Sequence, residues 1–315
     1  MKKIRILTLV VLCLSIALSS FACVPSETGP INVAAIKGPT GMGMVALMED
    51  NYADSYHVEL SAAPDDIVGK FVSGEVDIAA VPVNLASVLY NKTDGDAAVI
   101  AVNTLGVLYV LENGNTVNEI ADLSGKTLYA TVKGATTEYI LDYVLEKNGL
   151  SQSVTVEYLT EHSELATLFA AGEVDLAMLP EPNVTAVKMN GGAVRTALDM
   201  TEEWNKVSDT KLVQGCIIVR SDFLEKNEAL VKKFLADYEA SVALVNRETD
   251  KAASLIEKHA IMSSAAAAKV AIPNCNIVCI TGDEMKAAMK DMLTMLFEAN
   301  PKSIGGAIPK DDFYY

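Results

Sequence analysis

Aromatic and basic side chains are scarce in this chain. One Trp and 6% aromatics among 315 residues leave too few rings for a carbohydrate cleft built on stacked aromatics. The three His, at positions 57, 162 and 259, stand too far apart for a His-rich metal motif, so only folding could assemble a metal site. Lys and Arg number 25 against 41 Asp and Glu, a net charge of −16. A chain this acidic repels phosphate backbones, so nucleic acid is not an expected partner. An anionic membrane surface is an equally poor one. Long apolar runs are missing beyond the N-terminus, and no low-complexity linker divides the chain. What remains is ample core material: half the residues are hydrophobic and 21% charged, which argues against disorder. At about 100–200 residues per domain, the length suggests two domains.

The N-terminus reads as an address. Lys2, Lys3 and Arg5 precede an apolar run from Ile6 to Leu18, and Ser19-Ser20-Phe21-Ala22-Cys23 follow. A basic region, an apolar region and small residues make a secretory signal over residues 1–22, and the run is shorter than the roughly 20 residues of a membrane span. Small residues ending in Cys23 resemble a bacterial lipoprotein leader, in which that Cys is acylated and becomes the first residue. Ser20 stands where such leaders usually carry Leu, and Ser20-Phe21-Ala22 also fits ordinary cleavage after Ala22. Cleavage removes three positive charges and leaves a mature net charge of −19.

A repeat organises the mature chain. Phe71-Val72-Ser73-Gly74-Glu75-Val76-Asp77-Ile78-Ala79-Ala80-Val81-Pro82 returns as Phe169-Ala170-Ala171-Gly172-Glu173-Val174-Asp175-Leu176-Ala177-Met178-Leu179-Pro180, with seven identities in twelve. Each copy reads as a helix end, a Gly cap, a short buried strand and a Pro before the next helix. Upstream of the first copy lie a strand, Ile31–Ile36, a glycine-rich loop, Lys37 to Gly43, and a predicted helix, Met44–Tyr52. Upstream of the second lie a strand, Thr127–Thr131, a loop, Val132 to Ala135, and a helix, Thr136–Asn148, ended by Gly149. Two such units predict two α/β lobes with largely parallel sheets. The strand-to-helix loops then fall at the carboxyl edges, where α/β folds bind ligands.

Elsewhere the pattern predicts strands at Ala97–Val102, Leu105–Leu111, Val154–Tyr158 and Leu212–Val219. Helices are predicted at Glu228–Asn246, Lys251–His259, Ser263–Ala271 and Asp283–Ala299. The lobes should join through extended segments near Asn103-Thr104 and Val213-Gln214. One lobe is expected at residues 31–104 plus 220–315, the other at 105–219.

The motifs Lys37-Gly38-Pro39-Thr40-Gly41, Gly74-Glu75-Val76-Asp77-Ile78-Ala79, Gly125-Lys126-Thr127, Gly172-Glu173-Val174-Asp175 and Ile217–Val219 with Phe223, in this order behind such a leader, carry a resemblance. Over roughly residues 31 to 300 the chain resembles the substrate-binding proteins of ABC transporters, in the nitrate/sulfonate/taurine branch that also includes binders of thiamine-precursor pyrimidines. The resemblance implies a type II periplasmic-binding fold, two lobes that close like a hinge on a ligand. It implies no cofactor or metal, a monomer, and permease and ATPase subunits as partners, with an N-terminal lipid as membrane anchor. Carried over position by position, it places ligand contacts at Lys37, Gly38, Pro39, Thr40, Gly41, Val83 and Asn84. Asn103 and Thr104 follow at the first crossing, and Gly134, Ala135, Thr136, Thr137 and Glu181 in the second lobe. Helix N-termini, with unpaired N–H groups, favour an anion there. Plain N-caps are the structural alternative for Thr40 and Thr136.

Glu181, in Leu179-Pro180-Glu181-Pro182, has Val83 as its counterpart in the first copy. A cleft carboxylate selects an amine or protonated ring; the alternative is a first-turn Glu complementing a helix dipole. Taken together, the site suits a small organic anion or zwitterion, such as a taurine-like amino-sulfonate or a pyrimidine. Cys216, Cys275 and Cys279 are an odd trio; Cys216 and Cys275 form a bridge, or all three are free thiols. The alternative function is an enzyme of the same fold, similar to chorismate dehydratases or to the suicidal pyrimidine synthases of thiamine synthesis. The chain lacks a Cys-rich iron motif of the latter, and its leader points to export.

Overall fold

The computed structural model describes residues 29–190 and 194–315; the predicted leader and Cys23 lie outside the described residues. The strands are β1 (Ile31–Ile36), β2 (Tyr56–Ser61), β3 (Ile78–Pro82), β4 (Ala98–Thr104), β5 (Leu108–Glu112), β6 (Thr127–Thr131), β7 (Thr155–Leu159), β8 (Leu176–Pro180), β9 (Arg195–Asp199), β10 (Gly215–Val219) and β11 (Ile277–Ile280). They form two sheets, a six-stranded one in the order β11-β4-β10-β3-β1-β2 and a five-stranded one in the order β7-β6-β8-β5-β9.

Both sheets are mixed. Strands β1, β2 and β3 pair in parallel, while β10 runs antiparallel between β3 and β4. In the second sheet β6 pairs in parallel with β7 and β8, and β5 runs against β8 and β9. The repeat accounts for the parallel core of each sheet. The antiparallel strand in each comes from chain that crosses over from the other sheet. One boundary is thereby corrected. The sequence pattern assigns residues up to 219 to the second lobe, yet the ladders of β10 with β3 and β4 put Gly215 to Val219 in the middle of the first sheet.

Helices flank the sheets: α1 (Pro39–Met42), α2 (Pro64–Ser73), α3 (Val83–Lys92), α4 (Thr136–Lys147), α5 (His162–Ala170), α6 (Asn183–Met189), α7 (Met200–Val207), α8 (Ser221–Arg247), α9 (Thr249–Lys258), α10 (Ala265–Ala271) and α11 (Gly282–Ala299). Both repeat copies end a helix the same way. Gly74 and Gly172 take left-handed backbone, φ 80° and 74°. Their amides return to Phe71 O at 3.2 Å and Phe169 O at 3.1 Å, and the next amides reach Lys70 O at 2.9 Å and Leu168 O at 3.0 Å. A side chain there would strain the turn. The four strand residues before each Pro, Ile78–Val81 and Leu176–Leu179, are all buried.

The helix expected over Met44–Tyr52 is instead two short 3-10 turns, Val45–Met48 and Asp50–Tyr52. Glu49 goes extended between them, at φ −85° and ψ 156°. Its carboxylate is drawn to Lys258 Nζ at 2.8 Å and His259 Nε2 at 2.6 Å. Strands β2, β9 and β11 lie where the sequence pattern predicts none. One apolar cluster runs from the first sheet to the second, joining Val99 and Val102 to Leu108, Tyr139 and Ile140 through Met289 and Met292 of α11. Burial of this continuous surface favours the sheets' approach. Among the described residues no helix is long and apolar enough to cross a membrane.

Candidate functional site

The carboxyl ends of β1, β3 and β4 bring Thr40, Val83, Asn103 and Thr104 to one edge of the first sheet, beside both crossings. Asn103 is the focus. Thr104 pairs with Gly215 and Val102 with Cys216, so Asn103 is the extra residue of a bulge against β10. The register against β11 breaks across the same residue, from Ile277–Thr104 to Ile280–Val102. Bulges re-aim a side chain. Asn103 is 0% exposed, yet neither its amide nitrogen nor its oxygen has a hydrogen-bond partner. The buried Thr104 hydroxyl is likewise unpartnered. Buried polar atoms are nearly always bonded; among the described residues several single atoms are left unpaired, but Asn103 alone leaves two.

Gly215 makes room for them. A Cβ there would lie 2.5 Å from Asn103 Oδ1 and 3.1 Å from both Thr104 Cβ and Thr40 Cγ2. Nearby, Gln214 binds the crossings together. Its amide donates to Thr104 O at 3.0 Å, its carbonyl accepts from Val83 N at 3.2 Å, and its side-chain oxygen accepts from Val107 N at 2.6 Å.

The glycine-rich loop follows β1 at the same sheet edge. Gly38 adopts φ 105° and precedes α1, with Pro39 opening the turn. A Cβ at Gly38 would come within 3.9 Å of Pro182 Cδ, so this loop meets the β8–α6 loop of the other sheet. At Gly41 a Cβ would lie only 2.9 Å from Ile36 O. Thr40 is not an N-cap: its hydroxyl donates to Ile36 O at 2.7 Å. Lys37 is exposed at the rim, its amide tied to Ser61 O at 2.9 Å.

In the second sheet, Ala135 is the N-cap residue of α4 and Thr136 its first helical residue. The Thr136 hydroxyl crosses to the first lobe and donates to Asn84 Oδ1 at 3.0 Å. Two helix N-termini, those of α3 and α4, therefore face each other across the cleft. The Gly134 amide donates to the Glu138 carboxylate, and the Thr137 hydroxyl to Thr131 O at 3.3 Å. Both bonds stay inside the second lobe.

Glu181 is 2% exposed. Its carboxylate accepts from Thr185 N at 3.1 Å and Thr185 Oγ1 at 3.0 Å, in the first turn of α6, and from Asn274 Nδ2 of the opposite lobe at 3.5 Å. Burial raises its pKa above the ordinary carboxylate range, against the Thr185 bonds that lower it.

Sequence reasoning placed Gln214 at a crossing without a role, and missed Gly215, Asn274 and Asn276. Asn276, at φ 42°, accepts from Leu105 N at 3.1 Å and donates its side-chain amide to Gly106 O at 2.5 Å. Tyr109 OH donates to Asn274 O at 3.0 Å. The segment around Asn274 lies more than 160 residues from these partners, and no local signal marks it. Cys216, Cys275 and Cys279 are free thiols, the first two buried.

Two mixed α/β sheets, joined by a double crossing with a cleft at their strand ends, are the type II periplasmic-binding fold. An NMT1/THI5-like family model matches residues 96–252. No curated protein matches the chain by sequence. Solved structures share its fold across nearly its whole length. An ABC transporter protein from Parabacteroides distasonis aligns with a TM-score of 0.80 and 22% identity, over 91% of this chain and 99% of that one. The periplasmic aliphatic sulphonate binding protein SsuA from Escherichia coli aligns with a TM-score of 0.71 and 20% identity, over 90% and 93%. The periplasmic nitrate-binding protein NrtA from Synechocystis PCC 6803 aligns with 0.61 and 12%, over 87% and 82%. The last two are named for sulphonate and nitrate, ligands of the branch that the sequence resembles.

Proposed function

We propose that the chain is the extracytoplasmic solute-binding component of an ABC importer, working with permease and ATPase subunits. It captures a small organic anion or zwitterion between two lobes, residues 31–104 with 215–315 and residues 105–214. The observation that carries this reading is the buried, unpartnered amide of Asn103 beside the unpartnered Thr104 hydroxyl, where loops of both sheets meet. Such groups are costly in a core and useful in a binding site.

The chemistry favours an oxyanion held by neutral donors. Asn103 Nδ2, Thr104 Oγ1 and the N-terminal amides of α3 and α4 supply hydrogen bonds and helix-dipole charge without a cation. A sulfonate group fits that set, in keeping with the sulphonate-binding neighbour. Glu181, buried with no cationic partner in contact among the described residues, supplies a negative end for an ammonium or ring N–H. A taurine-like amino-sulfonate or a thiamine-precursor pyrimidine therefore suits the cleft better than bare nitrate. Export under the N-terminal signal, with acylation of Cys23, would hold the protein at the outer face of the membrane. Binding then closes the lobes through its higher affinity for the closed state.

A thermal-shift and calorimetric screen of purified protein against sulfonates, amino-sulfonates and pyrimidines tests the reading. A true ligand raises the melting temperature in proportion to the logarithm of its excess over Kd. No response to any of the three classes would overturn the ligand assignment.

A further inference from the structure

The two unpaired atoms of Asn103 have opposite characters, and that limits what can sit against them. Nδ2 can only donate and Oδ1 can only accept. Both are buried and neither has a partner, so the same holds whichever way the amide is turned. The polar groups around them are already bonded. Thr104 O accepts from Gln214 N at 3.0 Å, and Gln214 Oε1 accepts from Val107 N at 2.6 Å. Leu105 N donates to Asn276 O at 3.1 Å, and Gly106 O accepts from Asn276 Nδ2 at 2.5 Å. The Thr40 hydroxyl donates to Ile36 O at 2.7 Å, while its methyl group faces Gly215. Only the Thr104 hydroxyl of this set is unpartnered as well.

Gly215 lies directly against the amide oxygen. A Cβ there would come within 2.5 Å of Asn103 Oδ1, so β10 meets this oxygen with bare backbone and no side chain to pair with it. The register of β4 breaks at Asn103 against both of its neighbours, which takes the side chain out of the regular ladder. Charge does not resolve the matter either. Arg195 is bound to Glu112 and Arg220 to Asp222, both at the opposite strand ends. Lys37 is exposed at the rim.

A sulfonate satisfies half of this amide. Its oxygens only accept, so it can take the Nδ2 hydrogens but sets its lone pairs against Oδ1, which stays buried and unpaired. An orphaned acceptor of that kind weakens binding by about tenfold to a hundredfold. An amino group beside a ring nitrogen satisfies the whole amide. The amino N–H donates to Oδ1 and the ring nitrogen accepts from Nδ2, the two-bond match that an asparagine makes with the edge of adenine.

We infer that Asn103 reads the ligand through both of its amide atoms, and that the group lodged against it is a planar edge with a donor beside an acceptor, a ring nitrogen next to an amino group. The inference rests on the solute-binding reading and chooses within it, for an aminopyrimidine over an amino-sulfonate. The Thr104 hydroxyl, able to donate or accept, takes a further position on the same ring. The N-terminal amides of α3 and α4 remain for an anionic substituent elsewhere on the ligand. Because a carboxamide carries no charge, this contact discriminates by the pattern of donors and acceptors rather than by the ligand's net charge.

Titration of 4-amino-2-methylpyrimidine into the purified, isotope-labelled protein, followed by NMR of backbone and asparagine side-chain amides, tests the inference. Saturable shifts are expected at the Asn103 side chain and the Thr104 amide. The analogue 2,4-dimethylpyrimidine has the same shape, with a methyl group in place of the amino donor. It should bind about tenfold to a hundredfold more weakly, and taurine should also bind more weakly. Asn103→Leu keeps a similar volume without the amide and should remove the preference for the amino compound. If that variant does not fold, the two pyrimidines on the unaltered protein decide. Equal affinity for the two pyrimidines, or a preference that survives in Asn103→Leu, would refute the inference. Tighter binding of taurine or ethanesulfonate than of the aminopyrimidine would also refute it, while leaving the solute-binding reading in place. No saturable response to any of the four compounds would overturn both.

Discussion

Asn103→Ala separates a binding residue from a structural one. The wild-type side chain is fully buried with both amide atoms unpartnered. An unpaired amide in a protein interior costs about 1–3 kcal/mol. Alanine removes that cost and forfeits some packing, at about 0.8 kcal/mol per methylene equivalent. The terms oppose each other, so the stability of the free protein should stay within about 1 kcal/mol of wild type. Ligand binding should behave differently. The ligand loses a donor and an acceptor, about 1.5–3 kcal/mol when it is charged, which is about tenfold to a hundredfold in Kd. Urea unfolding followed by circular dichroism gives the first quantity; calorimetry with a ligand from the screen gives the second. A stability loss above about 2 kcal/mol with unchanged affinity would mean that Asn103 holds the fold together, and the reasoning fails.

Glu112 has a pKa held at about 2 by its hydrogen bonds. Its folded pKa lies below the unfolded value, so its contribution is present above about 4.5 and fades as pH falls toward 2. Glu112→Gln should cost about 3 kcal/mol at pH 7, from about 1.4 kcal/mol per pKa unit, and should flatten the loss of urea stability between pH 5 and 2; an unchanged slope would contradict this. Glu181 is raised instead, so the folded state favours its protonated form, and stability declines as pH rises through its folded pKa. Glu181→Gln should remove that decline. The same change should weaken an amine-bearing ligand by about 1.5–3 kcal/mol and leave a purely anionic ligand as tight or tighter; equal affinity for the amine-bearing ligand would leave Glu181 as a helix-dipole partner. Globomycin should accumulate the precursor and Cys23→Ala should release protein into the medium, whereas normal processing and anchoring in both cases would exclude acylation.

Local signals carried a good part of the fold. Strands β1 and β6 match the expected bounds Ile31–Ile36 and Thr127–Thr131 residue for residue, because short, mostly apolar segments ended by glycine-containing loops mark strands. The glycine caps at Gly74 and Gly172 were readable because only glycine enters left-handed backbone without strain. The helix over Met44–Tyr52 failed because its apolar spacing says nothing of Glu49, which Lys258 and His259 pull out of line from over 200 residues away.

The site divides the same way. Sequence alone determined which loops would lie at a carboxyl edge, since strand direction and loop order follow from the chain. The family resemblance then pointed to Thr40, Asn84, Asn103, Thr104 and Thr136 among the residues at that edge. Tertiary structure alone decided what those side chains do. The bulge that leaves Asn103 unpaired exists only once β10 and β11 lie on either side of β4. The Thr136–Asn84 bond and the reach of Asn274 to Glu181 exist only once the lobes meet. Register and cross-sheet contact are set by packing between segments far apart in the chain, and a one-residue slip turns every side chain to the other face; no local run of residues encodes that choice.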